Sequence, residues 1–187
     1  MAYGKDDRFG EQVGLLIGAM GSDHSATVHA AEAELSMIGS TVVSYLLSAL
    51  SNAKNEIADS AKRKEGVEEQ VRIVEGITRT LGIIGDPTTV PVLAKELPKL
   101  EALEALSKVG DQQALKEVIS CLPRLSIWRW DYSSNRVDKS GDYSQDEINY
   151  LVKIIGRFGD SGKKALEAAA DQDSPAQSWD SGRSKTG

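Results

Sequence analysis

Apolar residues recur along this chain at the spacing of a helix face, and one phrase of that pattern occurs four times. An apolar helix face, a glycine and a second apolar helix face are centred on Gly39, Gly85, Gly110 and Gly159. Immediately before the glycine stands Ile38, Ile84, Val109 or Phe158; four before it stands Leu35, Leu81, Leu106 or Ile155; eight before it stands Ala31, Ile77, Ala102 or Leu151. Residues at these offsets share one side of an α-helix. The glycine is expected to end that helix, because it alone enters the left-handed conformation without a Cβ clash.

The residues after each glycine repeat as well. Asp86, Asp111 and Asp160 follow directly, with Ser40 in the first copy. Their side chains suit the N-cap of a second helix, where they accept orphan backbone N–H groups. Pro87 fits the first helical position, which needs no N–H. The second helices are read from Val43, Leu46, Leu47 and Leu50; from Val90, Leu93, Ala94 and Leu97; and from Leu115, Val118, Ile119 and Leu122. A weaker last copy has Ala165, Leu166, Ala168 and Ala169 after a loop lengthened by Gly162. Val13, Leu16, Ile17 and Met20, ending at Gly21, form a partial hairpin ahead of the array.

The copies are unevenly spaced. Gly85 to Gly110 is one tight repeat, and the intervals on either side of it are nearly twice as long. Residues 53–70 supply the first excess as a polar stretch, which either lengthens the helix before Gly85 or forms a helix–loop insertion broken at Gly66. Residues 126–144 supply the second, with turn residues throughout and no helical period, and are read as a long loop. Residues 171–187 are rich in Ser, Asp and Gly and are expected to form a flexible polar tail.

The phrases LGIIGDPTTVPVLAKEL and LSKVGDQQALKEVISCL resemble the short HEAT-like repeats of phycobilisome-lyase-type proteins. The resemblance runs over about residues 11–170 and is strongest over 71–122. It implies an all-α fold: a right-handed α-solenoid of four to five helical hairpins with one long loop insertion, forming a single repeat domain over residues 1–170. In such an array each hairpin buries its apolar faces only against its neighbours. Proteins with these repeats include lyase subunits, enzyme activators, assembly factors and scaffolds, so the repeat type says little about function.

Charge and composition narrow the function classes. The formal charge is −6, which disfavours binding to phosphate backbones. Lys62, Arg63 and Lys64 form the best basic cluster, and Glu65 follows at once. A nucleic-acid-binding protein, like the DNA-repair glycosylases built on HEAT-like repeats, is therefore a secondary alternative. Cys121 is the single cysteine, which rules out an intrachain disulfide and fits a reducing, cytoplasmic location. The longest near-apolar run, Val13 to Met20, is far short of a membrane span.

Catalytic chemistry finds little support. HEAT-repeat hydroxylases of the deoxyhypusine type carry paired His-Glu motifs, whereas here His24 and His29 are followed by Ser and Ala and lie five residues apart. That spacing does not make the i, i+4 pair of a helical metal site, so no metal ligand is assigned. The run Gly156 to Lys164 mimics a phosphate loop but has Arg157 where a glycine is needed and Lys164 where Ser or Thr is needed. Cys121 sits beside an apolar face, as a packed or edge thiol would. Glu32 with Glu34 and Glu68 with Glu69 are expected on solvated helix faces. No catalytic residue and no cofactor is assigned.

One segment stands out. Two of the three tryptophans and two of the five tyrosines lie within 128–143: Trp128, Trp130, Tyr132 and Tyr143, with Arg129 and Arg136 among them. These are the residue types enriched at binding hot spots. In an extended strand, Ile127, Arg129 and Asp131 share one side, and Trp128 and Trp130 the other. The pair either folds back to cap the array's own core, binds a partner protein, or lines a ligand pocket such as a tetrapyrrole site in the lyase-type relatives. Further partner contacts are expected on the concave face, normally lined by second helices, from Tyr45, Lys95, Lys116 and Glu117. The expected function is a non-catalytic protein-binding scaffold, assembly or regulatory factor, with a bilin-lyase-type subunit as the first alternative.

Overall fold

The computed structural model describes residues 6–63, 66–97, 99–125, 129–131, 136–138 and 145–172. The fold over these residues is helical. Helices α1 (Asp6–Ala19), α2 (Ser25–Ile38), α3 (Val43–Arg63) and α4 (Glu68–Ile84) are followed by the single turn α5 (Val90–Leu93), then by α6 (Leu100–Val109) and α7 (Gln112–Leu125). Two short strands, β1 (Arg129–Asp131) and β2 (Arg136–Asp138), precede α8 (Gln145–Gly156) and α9 (Gly159–Gln172).

All four repeat glycines have positive φ: 76° at Gly39, 71° at Gly85 and Gly110, and 60° at Gly159. At the first three, the glycine N–H donates to the carbonyl of Leu35, Leu81 or Leu106, closing the helix where the pattern requires. The first-helix faces are core. Leu35, Ile77, Leu81, Ala102, Leu106 and Ile155 are fully or almost fully buried, and Ile38, Ile84, Val109 and Phe158 pack at the rim. Second-helix residues Val43, Leu46, Leu50, Val90, Leu93, Leu97, Leu115 and Val118 join them, as do Val13 and Met20 from the first helix.

The helices meet in a regular order. The first helix of each copy touches the next: α2 packs on α4, α4 on α6, and α6 on α8. In the later copies the first helix also packs on the helix that follows it, α6 with α7 and α8 with α9, and α7 meets α9. Helices α4 and α6 approach closely: a Cβ added to Gly82 would lie 2.4 Å from the Ala105 Cα. Helix α1 lies over α2 and α3.

Several expectations are corrected. After Asp86 there is no continuous second helix but a 3-10 turn (Pro87–Thr89), α5 and another 3-10 turn (Ala94–Glu96). Pro91 has no N–H to give, which removes a helical hydrogen bond within this stretch, while Val90 keeps helical φ and ψ and the apolar side stays buried. Most of the polar stretch 53–70 lengthens the helix after Gly39 rather than the one before Gly85: α3 runs on to Arg63, and the chain breaks at Gly66 before α4 begins. Ser40 caps no helix; it lies in the 3-10 turn Gly39–Val42, and its hydroxyl helps lower the Asp86 carboxyl of the next copy. In the last copy α8 stops at Gly156, and Arg157 and Phe158 close it with bonds to the carbonyls of Ile154 and Ile155. Asp160 is therefore in the first turn of α9 rather than at its cap. Gly162 lengthens no loop: it lies within α9, where an added Cβ would meet the Ile155 carbonyl oxygen at 2.1 Å. Ala168 is exposed.

The segment 126–144 is not loop throughout. Strands β1 and β2 form an antiparallel ribbon whose register sets Arg129 opposite Asp138, Trp130 opposite Val137 and Asp131 opposite Arg136. Opposite charges and an aromatic–β-branched pair at facing positions favour such pairing. Of the expected tail, Asp171 and Gln172 belong to α9; the remainder lies outside the described residues.

By length and composition alone, one segment among the described residues, Ser25–Arg63, passes as apolar enough to cross a membrane, with a window of mean hydropathy 1.4. Counting uninterrupted apolar runs does not find it, because serines and threonines punctuate it. Here the segment consists of two helices joined at the Gly39 turn, and Leu35, Val42, Val43, Leu46 and Leu50 carry its apolar character into the helical core.

Candidate functional site

The candidate contacts on the second helices stand at the surface to different degrees. Tyr45, on α3, is 38% exposed, and its ring takes the edge of Phe9 from α1 with centroids 5.8 Å apart and planes at 80°. Lys95, in the 3-10 turn after α5, and Lys116, on α7, are exposed. Glu117 is half-buried and accepts a 2.6 Å bond from the Gln113 side-chain amide one turn earlier. The structure therefore leaves Tyr45, Lys95 and Lys116 open to solvent and ties Glu117 to its own helix.

The aromatic segment is described in part. Arg129, Trp130 and Arg136 lie on the ribbon, and its register is known from the backbone alone. Trp128, Tyr132 and Tyr143 lie outside the described residues. The ribbon stands between α7 and α8, and extended backbone at Arg129–Asp131 agrees with the alternation read from the sequence.

Two carboxylates are buried, and the first of them, Glu32, corrects the expectation of a solvated helix face. Glu32 is 5% exposed, and its Oε1 accepts from both Nε (2.9 Å) and Nη2 (2.7 Å) of Arg79, tying α2 to α4. Its spacing carried the signal: Glu32 lies four after Val28 and three before Leu35, both buried, and so on the apolar side of its helix. Glu34, Glu68 and Glu69 are exposed as expected. Glu96 is 4% exposed and is held by Lys54 from α3 and by Lys99, the latter at 3.0 Å. Burial pushes the Glu96 carboxyl up, and the two lysines more than reverse this, holding it below its usual value.

Polar contacts continue between the later first helices. Burial and the nearby Glu101 raise the Glu75 carboxyl on α4, against Arg79, Lys99 and Arg72. Burial and Glu104 on α6 push the Tyr150 hydroxyl of α8 far up. Arg157 donates to the Ser107 hydroxyl at 2.9 Å. Sequence reasoning missed these partners because they are joined only by packing, at separations such as 47 and 50 residues.

Two of the three expected aspartate caps are in place. Asp86 accepts from the Thr88 hydroxyl and backbone N–H, and those two bonds hold its carboxyl below the ordinary value. Asp111 accepts from the Ala114 N–H at 2.6 Å. His24 and His29 are exposed, with His29 Nδ1 beside the Ser25 hydroxyl at 3.1 Å. Cys121 is 1% exposed, so its thiol is packed. Among the described residues, no group of three or more His, Cys, Asp or Glu side chains is placed to hold a metal ion. Among the described residues, Tyr45, Lys95 and Lys116 are exposed positions on the second helices. Compared with known protein families, curated proteins and solved structures, the chain matches none of them.

Proposed function

We propose that this chain is a non-catalytic protein-binding scaffold, an assembly or regulatory factor, built as a right-handed α-solenoid of HEAT-like hairpins. One observation carries the reading: successive first helices touch in the order α2, α4, α6, α8, each ended near a positive-φ glycine at the repeat position. Nearest-neighbour stacking of this kind buries one side of every hairpin and leaves an extended surface on the other, which is how such arrays bind partners. The ribbon between α7 and α8 is the distinctive addition to that surface. Its segment supplies Trp128, Arg129, Trp130, Tyr132, Arg136 and Tyr143, residue types that bury large areas at little entropic cost. Tyr45, Lys95, Lys116 and Glu117 supply contacts on the second helices.

The test is affinity capture from the native host, followed by titration of the purified partner against wild type and the Trp128→Ala/Trp130→Ala variant. The expected outcome is binding weakened by about 30-fold or more, the scale of a hot-spot loss, with the melting temperature unchanged. A large fall in melting temperature with binding intact identifies the tryptophans as caps of the core and overturns the assignment of the site.

A further inference from the structure

The ribbon between α7 and α8 is incomplete as a sheet. Among the described residues, β1 and β2 pair with each other and with no third strand. A lone two-stranded ribbon is marginal in water and gains independent stability from further strands or from a helix beneath it. Among the described residues, neither strand packs on a helix as extensively as the helices pack on one another. Each strand therefore keeps an outer edge whose backbone N–H and C=O groups can template another strand.

Charge on such an edge ordinarily keeps further strands away. Along β1 the charge is placed to admit one in particular. The strand reads Arg129, Trp130, Asp131, with a base and an acid at equal distances on either side of the tryptophan. In the sequence an aromatic residue also stands on each flank, Trp128 before and Tyr132 after. An antiparallel copy of the strand centred on Trp130 sets Arg129 opposite Asp131 of the second copy, Asp131 opposite its Arg129, and the two Trp130 residues opposite each other. Opposite charges and aromatic pairs at facing positions favour pairing, and like charges oppose it. A parallel copy sets Arg on Arg and Asp on Asp. An antiparallel copy slipped by one residue turns every side chain of one strand to the wrong face.

The register within the ribbon carries the pattern further. Arg129 faces Asp138 and Asp131 faces Arg136. In a sheet ordered β2, β1, then β1 and β2 of the second copy, one row runs Asp138 and Arg129 of the first copy, then Asp131 and Arg136 of the second. Signs alternate across all four strands, and the two-fold partner row repeats them in reverse. The central row is Val137 and Trp130, then Trp130 and Val137, on the opposite face, because successive strand residues alternate sides. Strand β2 has the same charge symmetry about Val137, but tryptophan brings the larger area to a facing pair.

We infer that the outer edge of β1 joins two copies of this chain, antiparallel about a two-fold axis, into one four-stranded sheet. A two-fold contact uses the same patch on both subunits and so needs a patch complementary to itself, which β1 is. Only the edge of the ribbon is involved, so the pairing stands whether or not the scaffold reading holds.

Sedimentation equilibrium on the full chain provides the test. Wild type is expected to show a reversible monomer–dimer equilibrium in the micromolar range. Two double variants alter the edge and keep both facing pairs inside each ribbon opposite in charge. Arg129→Asp/Asp138→Arg leaves two acids on β1, and Asp131→Arg/Arg136→Asp leaves two bases. Each alone is expected to self-associate at least about tenfold more weakly, because like charges then meet at both facing positions between copies. Mixed in equal amounts, the two are expected to form a one-to-one dimer with affinity close to that of wild type. A wild type that stays monomeric overturns the proposal. So do variants that self-associate as strongly as wild type, which places the contact elsewhere, and a mixture that associates no better than its components.

Discussion

Gly82 and Gly85 are three residues apart and are glycine for different reasons. Gly85 turns the chain out of α4 with a φ of 71°, a conformation that a Cβ disfavours. Gly82 lies inside α4 with ordinary helical backbone and is fixed by what faces it, the Ala105 backbone of α6. Gly82→Ala is therefore expected to cost about 3 kcal/mol, the upper end for overpacking, because a helix backbone must move rather than a side chain. Denaturant unfolding measures it. A loss below ~1 kcal/mol would show that α4 and α6 separate easily and that their contact does not hold the array together. The same distinction between reasons separates Glu32 from Glu34, two residues apart: one is buried on Arg79, the other exposed.

At the scale of elements, the break between α5 and α6 is fastened by charge. Glu96 is buried in the 3-10 turn, and Lys54 reaches it from the middle of α3 while Lys99 reaches it from just before α6. Its carboxyl is depressed from 4.5, so the stability it contributes is complete above about pH 4.5 and is lost as pH falls through the lower folded value. Wild type is expected to exceed Glu96→Gln by about 1–2 kcal/mol at neutral pH, a modest figure because both lysines are partly solvated. That gap is expected to close between pH 5 and pH 3 in thermal melts recorded at each pH. A gap independent of pH would assign the effect to packing rather than to the ion pairs.

These elements also show what the sequence could reveal. Helix ends marked by Gly39, Gly85 and Gly110 were readable because a left-handed residue has a single preferred amino acid, and buried faces such as Leu35–Ile38 and Leu81–Ile84 were readable from their period. The fragmented stretch 87–96 was not, since Pro87 signals a helix start while Pro91 interrupts the helix it starts. The Lys54–Glu96 and Arg79–Glu32 pairs join residues 42 and 47 apart, and no local pattern records a partner that only packing supplies. Of the candidate site, the aromatic cluster was visible by composition, and the pairing of Trp130 with Val137 required the register.

For the molecule as a whole, the array proposed above predicts stability that is distributed along the chain, although its buried residues form one contiguous cluster. The last pair, α8 and α9, rests on α6 and α7 and has no further helix described beyond it. Ile155→Ala, which empties a fully buried position of α8, is expected to destabilise that pair by about 2–4 kcal/mol while exchange in α4 stays unchanged. Equal acceleration in α4 and α8 would make the fold a single cooperative unit and would count against the array.

Cys121 gives that question a chemical clock. The sequence has one cysteine, and it lies packed on α7 with 1% of its surface exposed. An alkylating reagent therefore reaches its sulfur only while α7 is lifted from its neighbours, and the rate of modification counts those excursions in the unaltered protein. A partner of the kind proposed above that holds α7 down is expected to slow the clock, so binding can be timed at a buried sulfur atom.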